Sequence, residues 1–305
     1  MSEIVVLGIF VADAAFRADR QPRMGETILG HGFALGPGGK GSNQAVAAGR
    51  AGGDVAFVSR IGRDTFGTLG LETWRAAGVT PAVAQVDEAT GAAFIFLEAG
   101  TGNNAIIVAP GAAGGLSPAD LDARADLIAG AKVFVTQLEQ PMDAALRGLE
   151  LARAGGTATI LNPAPAADLP QGMLALCDYV TPNETEAEAL TGLPVETEAD
   201  ARRAGDALLA MGVAKAAVLT LGARGALYHS AETSQMVPAF AVGEVVETTG
   251  AGDAFNGGFA VALAEGRDPL EAVRFGCATA SLSVTRPGAA ASMPDRAEID
   301  ALLRG

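Results

Sequence analysis

The sequence predicts an α/β domain in which a parallel sheet carries helices on both faces. Short apolar runs rich in β-branched residues recur along the chain, as in strands that are buried on both sides. The clearest run is Ile4-Val-Val-Leu-Gly-Ile9, and comparable runs occupy residues 55–59, 132–138, 157–161 and 216–221. Segments with the apolar period of a helix alternate with these runs, and such alternation is typical of parallel sheets.

The helical segments first separate the strands and then dominate the C-terminal third of the chain. The pattern predicts helices at residues 41–51, 65–77, 118–129, 142–154, 184–191 and 199–211, followed by 253–265, 269–284 and 295–303. These lengths are ordinary for helices that cover a sheet.

Two stretches interrupt the alternation, at residues 11–36 and 82–109, because neither contains a convincing helix. In the second stretch, apolar runs at 92–98 and 104–109 flank a turn rich in Gly and Asn, which favours a pair of strands. We therefore expect a single domain over residues 1–305, with a small inserted β-sheet from both stretches acting as a lid.

Composition excludes several classes of protein. Hydrophobic residues make up 49% of the 305 and charged residues 18%, which is enough apolar material for a core and argues against disorder. A net charge of −14 disfavours a nucleic-acid partner, since phosphate binding needs a basic surface. Cys177 and Cys277 lack the spacing of a zinc site. The N-terminal apolar run is too short for a signal peptide or a membrane span, so we expect a cytoplasmic protein with no membrane partner.

A glycine-rich loop precedes the helix predicted at residue 253. Small residues at Gly250, Ala251 and Gly252 allow several backbone N–H groups to converge on one anion, and the helix dipole adds to the attraction. Asp253 follows in the first turn, where it could accept a proton from a hydroxyl while the amides hold a phosphoryl group. An Asp in a first turn is also an ordinary helix cap, so the residue alone would not predict catalysis.

A second glycine-rich run, Gly36-Pro-Gly-Gly-Lys-Gly-Ser-Asn43, opens another predicted helix. It contains a G-x-G-x-x-G pattern, but a dinucleotide fingerprint follows the first strand directly, and this run lies far beyond it. Lys40 is followed by Gly41 rather than Ser or Thr, so the run is not a Walker A loop. A flexible helix start that offers Lys40 and Asn43 suits a polyhydroxylated ligand.

Together these motifs resemble the ribokinase family of carbohydrate kinases, also called the PfkB family. The N-terminal signature covers residues 38–49 and 60–67, the C-terminal one covers 248–258, and segments 137–139, 183–186 and 220–225 lie between them in the expected order. The resemblance implies a three-layer α/β/α ribokinase-like fold with a β lid that often forms a homodimer contact. It also implies transfer of the γ-phosphoryl group of ATP to a hydroxyl of a small sugar, with Mg²⁺ and commonly K⁺.

The resemblance further implies a role for each matching position. Asp253 would be the catalytic base, and the anion hole would be Gly250, Ala251 and Gly252. Substrate contacts would come from Asp13, Gly39, Lys40, Gly41, Asn43, Glu139 and Asp253. Nucleotide contacts would come from Asn183, Glu186, Thr220, Gly222, Gly225 and Gly252, with Glu186 also associated with Mg²⁺. The monovalent-cation site would use Glu247, Thr249, Ser283, Arg286, Gly288 and Ser292, several of them through backbone carbonyls.

Two positions depart from the family pattern. Glu247 stands where Asp is usual, and the additional methylene moves the carboxylate by roughly 1.5 Å, so we expect weaker or altered activation by K⁺. Val11-Ala-Asp13 stands where ribokinases usually carry Asn-x-Asp, and Val11 cannot hydrogen-bond to a hydroxyl. Ribose is the first expectation for the substrate, with a related furanose, deoxy-sugar or ketose as alternatives.

Other functions are compatible with parts of the sequence. Residues 36–41 could belong to a nicotinamide oxidoreductase, although their position in the chain argues against it. A kinase for another sugar, a sugar acid or a nucleoside would share the same motifs. A non-catalytic sugar-binding regulator would retain the fold, but the intact Asp253 and its glycine loop argue against that alternative.

Overall fold

A nine-stranded sheet forms the centre of the computed structural model, which describes residues 2–101 and 103–305. In spatial order its strands are Ser234–Val237, Ala226–Ser230, Ala216–Thr220, Tyr179–Val180, Ala158–Leu161, Val133–Thr136, Ile4–Leu7, Val55–Val58 and Thr80–Pro81. The strands from Ala216–Thr220 to Thr80–Pro81 are parallel, and the remaining two form an antiparallel hairpin at one edge. The five apolar runs predicted as buried strands all lie in this sheet.

Both faces of the sheet are covered by helices, because alternate side chains of each strand point to opposite faces. Ile4 and Val6 pack on one face, Val5 and Leu7 on the other, and all four are at most 1% exposed. The first face carries the helices Lys40–Arg50, Thr65–Ala76, Ala251–Ala264, Pro269–Ser283 and Arg296–Arg304. The opposite face carries Pro118–Asp122, Ala125–Ala129, Met142–Gly155, Glu184–Thr191 and Glu198–Ala210. The predicted three-layer α/β/α architecture is confirmed.

A separate four-stranded sheet, called the small sheet below, comes from the two stretches that lacked helices. Its order is Gly32–Gly38, Val11–Ala18, Thr90–Glu98 and Asn104–Gly111. The predicted pair at 92–98 and 104–109 is present as an antiparallel ladder, while Val11–Ala18 and Thr90–Glu98 run parallel. Residues 84–86, which lie within the second stretch, instead pair with residues 60–62 in a ladder of their own.

Two local features differ from the sequence-based prediction. The prediction of a single helix at 118–129 is wrong. Arg124 leaves helical geometry, with φ −125° and ψ 18°, and divides the segment into two short helices. The Arg124 guanidinium donates from Nη1 to the Asp120 carbonyl and from Nε to the Ala82 carbonyl, which stabilises the break. The hairpin Ala226–Ser230 and Ser234–Val237 was not foreseen, because no strand or helix was predicted at these residues.

Four short 3-10 turns complete the described elements, at Ala112–Gly115, Leu174–Leu176, Gly222–Arg224 and Ala290–Ser292. Among residues 2–101 and 103–305, none of the helices combines the length and the apolar character that a membrane span requires.

Candidate active site

The predicted site residues gather at the carboxyl ends of the central parallel strands. Glu139 follows Val133–Thr136, Asn183 follows Tyr179–Val180, and Thr220 ends Ala216–Thr220. Ligands of open α/β sheets commonly bind at this edge, where loops and helix N-termini converge.

Asp253 lies in the first turn of the helix Ala251–Ala264 and is only 6% exposed. The residue before this helix, Gly250, has a φ of 79°, a left-handed conformation that favours glycine and turns the chain into the helix. The Oδ2 atom of Asp253 accepts a hydrogen bond from Asn43 Nδ2 at 3.0 Å, and its Oδ1 atom accepts one from Gln44 Nε2 at 3.0 Å. Two motifs that lie 210 residues apart in sequence therefore meet at one carboxylate.

The environment of Asp253 favours proton acceptance. Burial raises the pKa of its carboxyl above the usual range, while the positive charge of Lys40 and the hydrogen bonds from Asn43 and Gln44 act in the opposite direction. A carboxylate with a raised pKa is a stronger base than an exposed one, and the charge of Lys40 keeps the ionised form accessible.

Two further carboxylates lie beside the N-terminal motif, that of Glu139 at Lys40 and that of Asp13 at Gly38. Glu139 Oε2 accepts a hydrogen bond from the backbone N–H of Lys40 at 2.8 Å. Burial raises the pKa of Asp13 to about 6. Burial is also the main cause of the raised pKa of Glu139, to which the negative charges of Asp253 and Asp13 contribute. The charges of Asp253 and Asp13 both act on Glu139, so the three carboxylates lie close to one another in sparsely hydrated surroundings.

The glycines of the N-terminal motif allow close approach of the chain. Gly39 is the residue before the helix Lys40–Arg50, and Gly41 lies against Gly8, at the end of the first strand. A Cβ atom on Gly41 would lie 2.6 Å from the Cα atom of Gly8, so a larger residue would push the helix away from the strand. Gly38 leaves space for the Asp13 carboxylate in the same way.

A cavity of about 500 Å³ opens from Asp253. Its lining includes Lys40 and Gly252 together with the predicted nucleotide residues Asn183, Glu186, Thr220, Gly222 and Gly225. Apolar side chains also line it, among them Phe240, Val242, Val245, Ala280 and Val284. A lining of polar groups and apolar side chains suits a ligand with a phosphate chain and an aromatic ring.

Asn183 and Glu186 form a reciprocal cap at the start of the helix Glu184–Thr191. Asn183 Oδ1 accepts from the Glu186 N–H, and Glu186 Oε2 accepts from the Asn183 N–H, each at 2.9 Å. Burial is the main cause of the raised pKa of Glu186, and the negative charge of Asp253 adds to it. Structural capping and a position on the cavity wall therefore coexist in this pair.

The predicted monovalent-cation residues occupy two adjoining segments, 247–249 and 283–292. Glu247 Oε2 accepts from the Gly288 N–H at 2.8 Å, which joins the segments directly. The Arg286 guanidinium instead pairs with Glu298, and the hydroxyls of Ser283 and Ser292 donate to the carbonyls of Ala280 and Ala289. Thr249 lies in the turn before Gly250 and is exposed. Within the described part of the chain, no three Asp, Glu, His or Cys side chains form a group suited to a metal ion.

Comparison with known proteins decides the family. Residues 1–296 match the family model described as pfkB family carbohydrate kinase. The chain belongs to the PfkB family of carbohydrate kinases. This PfkB kinase is 39% identical to the ribokinase of Haemophilus influenzae over 297 residues, which cover 97% of this chain and 96% of that protein.

Two other similar proteins are informative about the PfkB kinase. A deoxyribokinase of Salmonella typhimurium is 35% identical over 295 residues, which cover 96% of this chain and 95% of that protein. The structure of an Arabidopsis thaliana ribokinase complexed with ribose and ATP superimposes with a TM-score of 0.93 at 32% identity, covering 100% of this chain and 99% of that one. The ribokinase-like fold predicted from the sequence is therefore confirmed.

Sequence reasoning missed several residues of the PfkB site. Gln44 binds Asp253 directly, yet a Gln in a predicted helix carries no signal beyond its position next to Asn43. Asn162 and Thr181 line the cavity at strand ends, and Phe240 and Val245 form part of its apolar wall. The wall residues lie in a segment without regular periodicity, so their proximity to the site depends on the fold.

Proposed function

We propose that this PfkB kinase acts as a ribokinase, which transfers the γ-phosphoryl group of ATP to a hydroxyl of a small sugar, with ribose as the leading substrate. The observation that carries the proposal is the buried Asp253, which joins the Lys40–Asn43 motif to the mouth of the cavity. The names of the Haemophilus relative and of the Arabidopsis complex with ribose and ATP support the same substrates.

In the proposed reaction, Asp253 accepts the proton of the attacking sugar hydroxyl. The helix N-terminus at Gly250, Ala251 and Gly252 would hold the charge that develops on the transferring phosphoryl group, where the Ala251 N–H also donates to the Thr248 carbonyl at 3.1 Å. Lys40 lies on the cavity wall and adds a positive charge beside the base. Asp253 would also orient the hydroxyl, because both of its oxygen atoms are fixed by amide donors.

The sugar would occupy the space around Lys40 that Asp13, Glu139 and Asn43 surround. Carboxylates accept hydrogen bonds from hydroxyl groups, and the Asn43 Oδ1 atom is buried with no hydrogen-bond partner among the described residues. Gly39 and Gly41 would contribute backbone groups to this site, while the space beside their Cα atoms is filled by Ile9 and Gly8. We also propose that the small sheet closes over this space as a lid of a single domain, which would exclude water and protect ATP from hydrolysis.

The nucleotide would lie in the cavity, with its phosphates near Asn183, Glu186, Thr220, Gly222 and Gly225. Mg²⁺ usually takes one or two protein carboxylates and completes its coordination with phosphates and water, so Glu186 on the cavity wall fits this ion without a cluster of acidic residues. Bound Mg²⁺ would neutralise charge on the β- and γ-phosphates.

We propose that K⁺ occupies the loops formed by residues 247–249 and 283–292, mainly through backbone carbonyls. The contact of Glu247 with the Gly288 N–H supports the pairing of these loops. The longer side chain of Glu247, relative to the usual Asp, underlies the proposal that activation by K⁺ is weaker or altered.

We further propose that the protein is a cytoplasmic homodimer with a small-molecule substrate and no nucleic-acid partner. One face of the small sheet exposes Phe16, Phe33 and Phe94. The centre of the Phe16 ring lies 4.9 Å from that of Phe33 and 5.7 Å from that of Phe94. Exposed apolar clusters of this kind often mark protein contacts, and a second copy fits because the lid of the family often forms the dimer contact.

The experiment that tests the proposed function is ADP release with ATP and Mg²⁺ across pentoses, hexoses, sugar acids and nucleosides. We expect the highest kcat/KM with ribose or a close furanose. Release of ADP only with nucleosides or sugar acids would replace the proposed substrate, and no sugar-dependent ADP release with any acceptor would contradict the function.

A further inference from the structure

We propose that Gln44 is a positioning residue for the catalytic base, and that Gln137 and Asn162 hold it in place. This inference rests on the proposed role of Asp253 in phosphoryl transfer. It concerns a chain of buried amides, Gln44, Gln137 and Asn162, that is hydrogen-bonded to the carboxylate.

The hydrogen-bonding groups of Gln44 are fully used. Its side chain is 0% exposed, and Nε2 donates to Asp253 Oδ1 and to Asn162 Oδ1, each at 3.0 Å. Its Oε1 atom accepts from Gln137 Nε2 at 2.6 Å. A primary amide has two donor hydrogens, and both are directed at acceptors here.

The orientation of the Gln44 amide is determined by its neighbours. The Asp253 carboxylate can only accept, so the amide nitrogen must face it. Asn162 donates its own Nδ2 to the Thr181 carbonyl at 3.0 Å, which leaves Asn162 Oδ1 as the acceptor for Gln44. A flipped Gln44 amide would place oxygen against oxygen at both contacts, so the observed arrangement is the only satisfied one.

The amide chain connects Asp253 to the rigid part of the fold. Gln137 follows the strand Val133–Thr136 and Asn162 follows Ala158–Leu161, two strands that pair in the middle of the sheet. Beyond Asn162, Thr181 Oγ1 lies 2.7 Å from Asn256 Oδ1. The position of the base is therefore fixed to strand ends and not only to its own helix.

The backbone is shaped to admit the Gln137 side chain. A Cβ atom on Gly8 would clash with Gln137 Oε1, and one on Gly41 would lie 2.9 Å from the same atom. Gln137 is 0% exposed, and its Oε1 atom has no hydrogen-bond partner among the described residues. Burying an amide oxygen in this way costs free energy, which favours a functional reason for placing Gln137 here.

The consequence for the reaction is that one oxygen of the base is held from behind while the carboxylate faces the sugar. The charge of Lys40 lowers the pKa of Asp253, and the charge of Asp253 in turn raises the pKa values of Glu139 and Glu186. The hydrogen bond from Gln44 stabilises the ionised carboxylate, so its loss should raise the pKa of Asp253 further. The acid limb of the pH–rate profile should then move to higher pH, because a larger share of the enzyme would carry a protonated base.

The test compares kcat and KM over a range of pH for Gln44→Met, Gln137→Met and Ser42→Ala. Ser42 is a matched control: it is buried in the same helix and bonds Trp74 Nε1, but it does not contact Asp253. For Gln44→Met we expect a fall in kcat of roughly tenfold to a hundredfold, an acid limb at higher pH, and KM values for sugar and ATP within about threefold of wild type. Gln137→Met should show the same changes to a smaller degree.

Ser42→Ala should lower thermal stability without moving the acid limb. If Gln44→Met keeps the wild-type acid limb and loses no more kcat than Ser42→Ala, the positioning role is wrong. If Gln44→Met does not fold, an unmoved limb in Gln137→Met overturns it instead. An active wild-type enzyme with unmoved limbs rejects only this inference, whereas a wild-type enzyme without sugar phosphorylation rejects the proposed function.

Discussion

At the scale of one residue, the partly buried carboxylate of Asp13 lowers the free energy of unfolding at neutral pH. Burial raises its pKa to about 6, from a usual value of 3.8. The folded protein therefore binds this proton more tightly than the unfolded chain, and the free energy of unfolding falls as pH rises from about 4 to about 6. A group that binds a sugar hydroxyl as an ionised acceptor must bear this cost at neutral pH.

We expect Asp13→Asn to stabilise the protein above pH 6 and to weaken sugar binding. The gain in unfolding free energy should reach about 1–2 kcal/mol at pH 7 and disappear below about pH 3, where the wild-type carboxyl is protonated in both the folded and the unfolded protein. Denaturant unfolding at several pH values measures it. A stability difference that is independent of pH would contradict the claim that burial raises the pKa of Asp13.

Val11 is the residue that should control the choice between sugars. It lies on the same strand as Asp13, two residues away, so the two side chains point to the same face. Val11 is 3% exposed and packs in an apolar cluster with Ile9, Ala93 and Ala113. An apolar side chain at this position offers no hydrogen bond to a sugar hydroxyl.

We expect Val11→Asn to raise kcat/KM for ribose relative to 2-deoxyribose by roughly tenfold, because the new amide can pair with a hydroxyl. Val11→Ala serves as the control, since it removes bulk without adding a hydrogen-bonding group and should leave the ratio near that of the wild type. An unchanged ratio in the Asn variant would mean that Val11 does not face the reacting sugar.

At the scale of elements, the sequence predicts the buried strands and most helices well, because their apolar periods are strong. The break at Arg124 was unpredictable, since it depends on a tertiary contact with the Ala82 carbonyl. The hairpin at 226–237 has no Gly or Pro in its turn, where Ser230 Oγ instead accepts from the Thr233 N–H at 3.0 Å.

The site likewise combines features that local sequence predicts with contacts that depend on tertiary packing. The residue types at Gly250 and Asp253 are enough to predict the start of a helix there. The meeting of Asn43 and Gln44 with Asp253 depends on the packing of two helices, in which a Cβ atom on Gly257 would lie 2.8 Å from the Ala48 nitrogen. Only the family resemblance could anticipate the contact between Asn43 and Asp253. Nothing in the sequence indicated the contact between Gln44 and Asp253.

The two loops at 247–249 and 283–292 should respond to monovalent cations as a unit. We expect the wild-type enzyme to show less stimulation by K⁺ than Glu247→Asp, because the shorter side chain restores the usual carboxylate position. Activity in K⁺, in Na⁺ and in buffer free of both measures the effect. Strong K⁺ stimulation of equal size in both proteins would refute this prediction.

At the scale of the whole molecule, the small sheet leaves an apolar face uncovered. Phe33 is 60% exposed and Phe16 43% exposed, whereas most large apolar residues of the described chain are buried. A monomer would present these rings to water, and a dimer would bury them.

We expect the double substitution Phe16→Ser and Phe33→Ser to convert a dimer into a monomer, because it removes the apolar area that the contact would bury. Sedimentation velocity at several concentrations measures the change. Met211→Ser is the matched control, since Met211 is 46% exposed on a distant helix end and should leave the assembly unchanged. A monomeric wild type, or a dimer that survives the double substitution, would contradict the proposed interface.

The turnover of Asp253→Asn tests the central claim most directly. We expect a loss of roughly 10²–10⁴-fold or more in kcat with the best sugar, while thermal unfolding and nucleotide binding stay close to wild type. Asp268→Asn is the matched control, because Asp268 caps the helix Pro269–Ser283 and an Asn can cap it equally well. Near-normal turnover in Asp253→Asn would show that this carboxylate is not the base and would contradict the proposed mechanism.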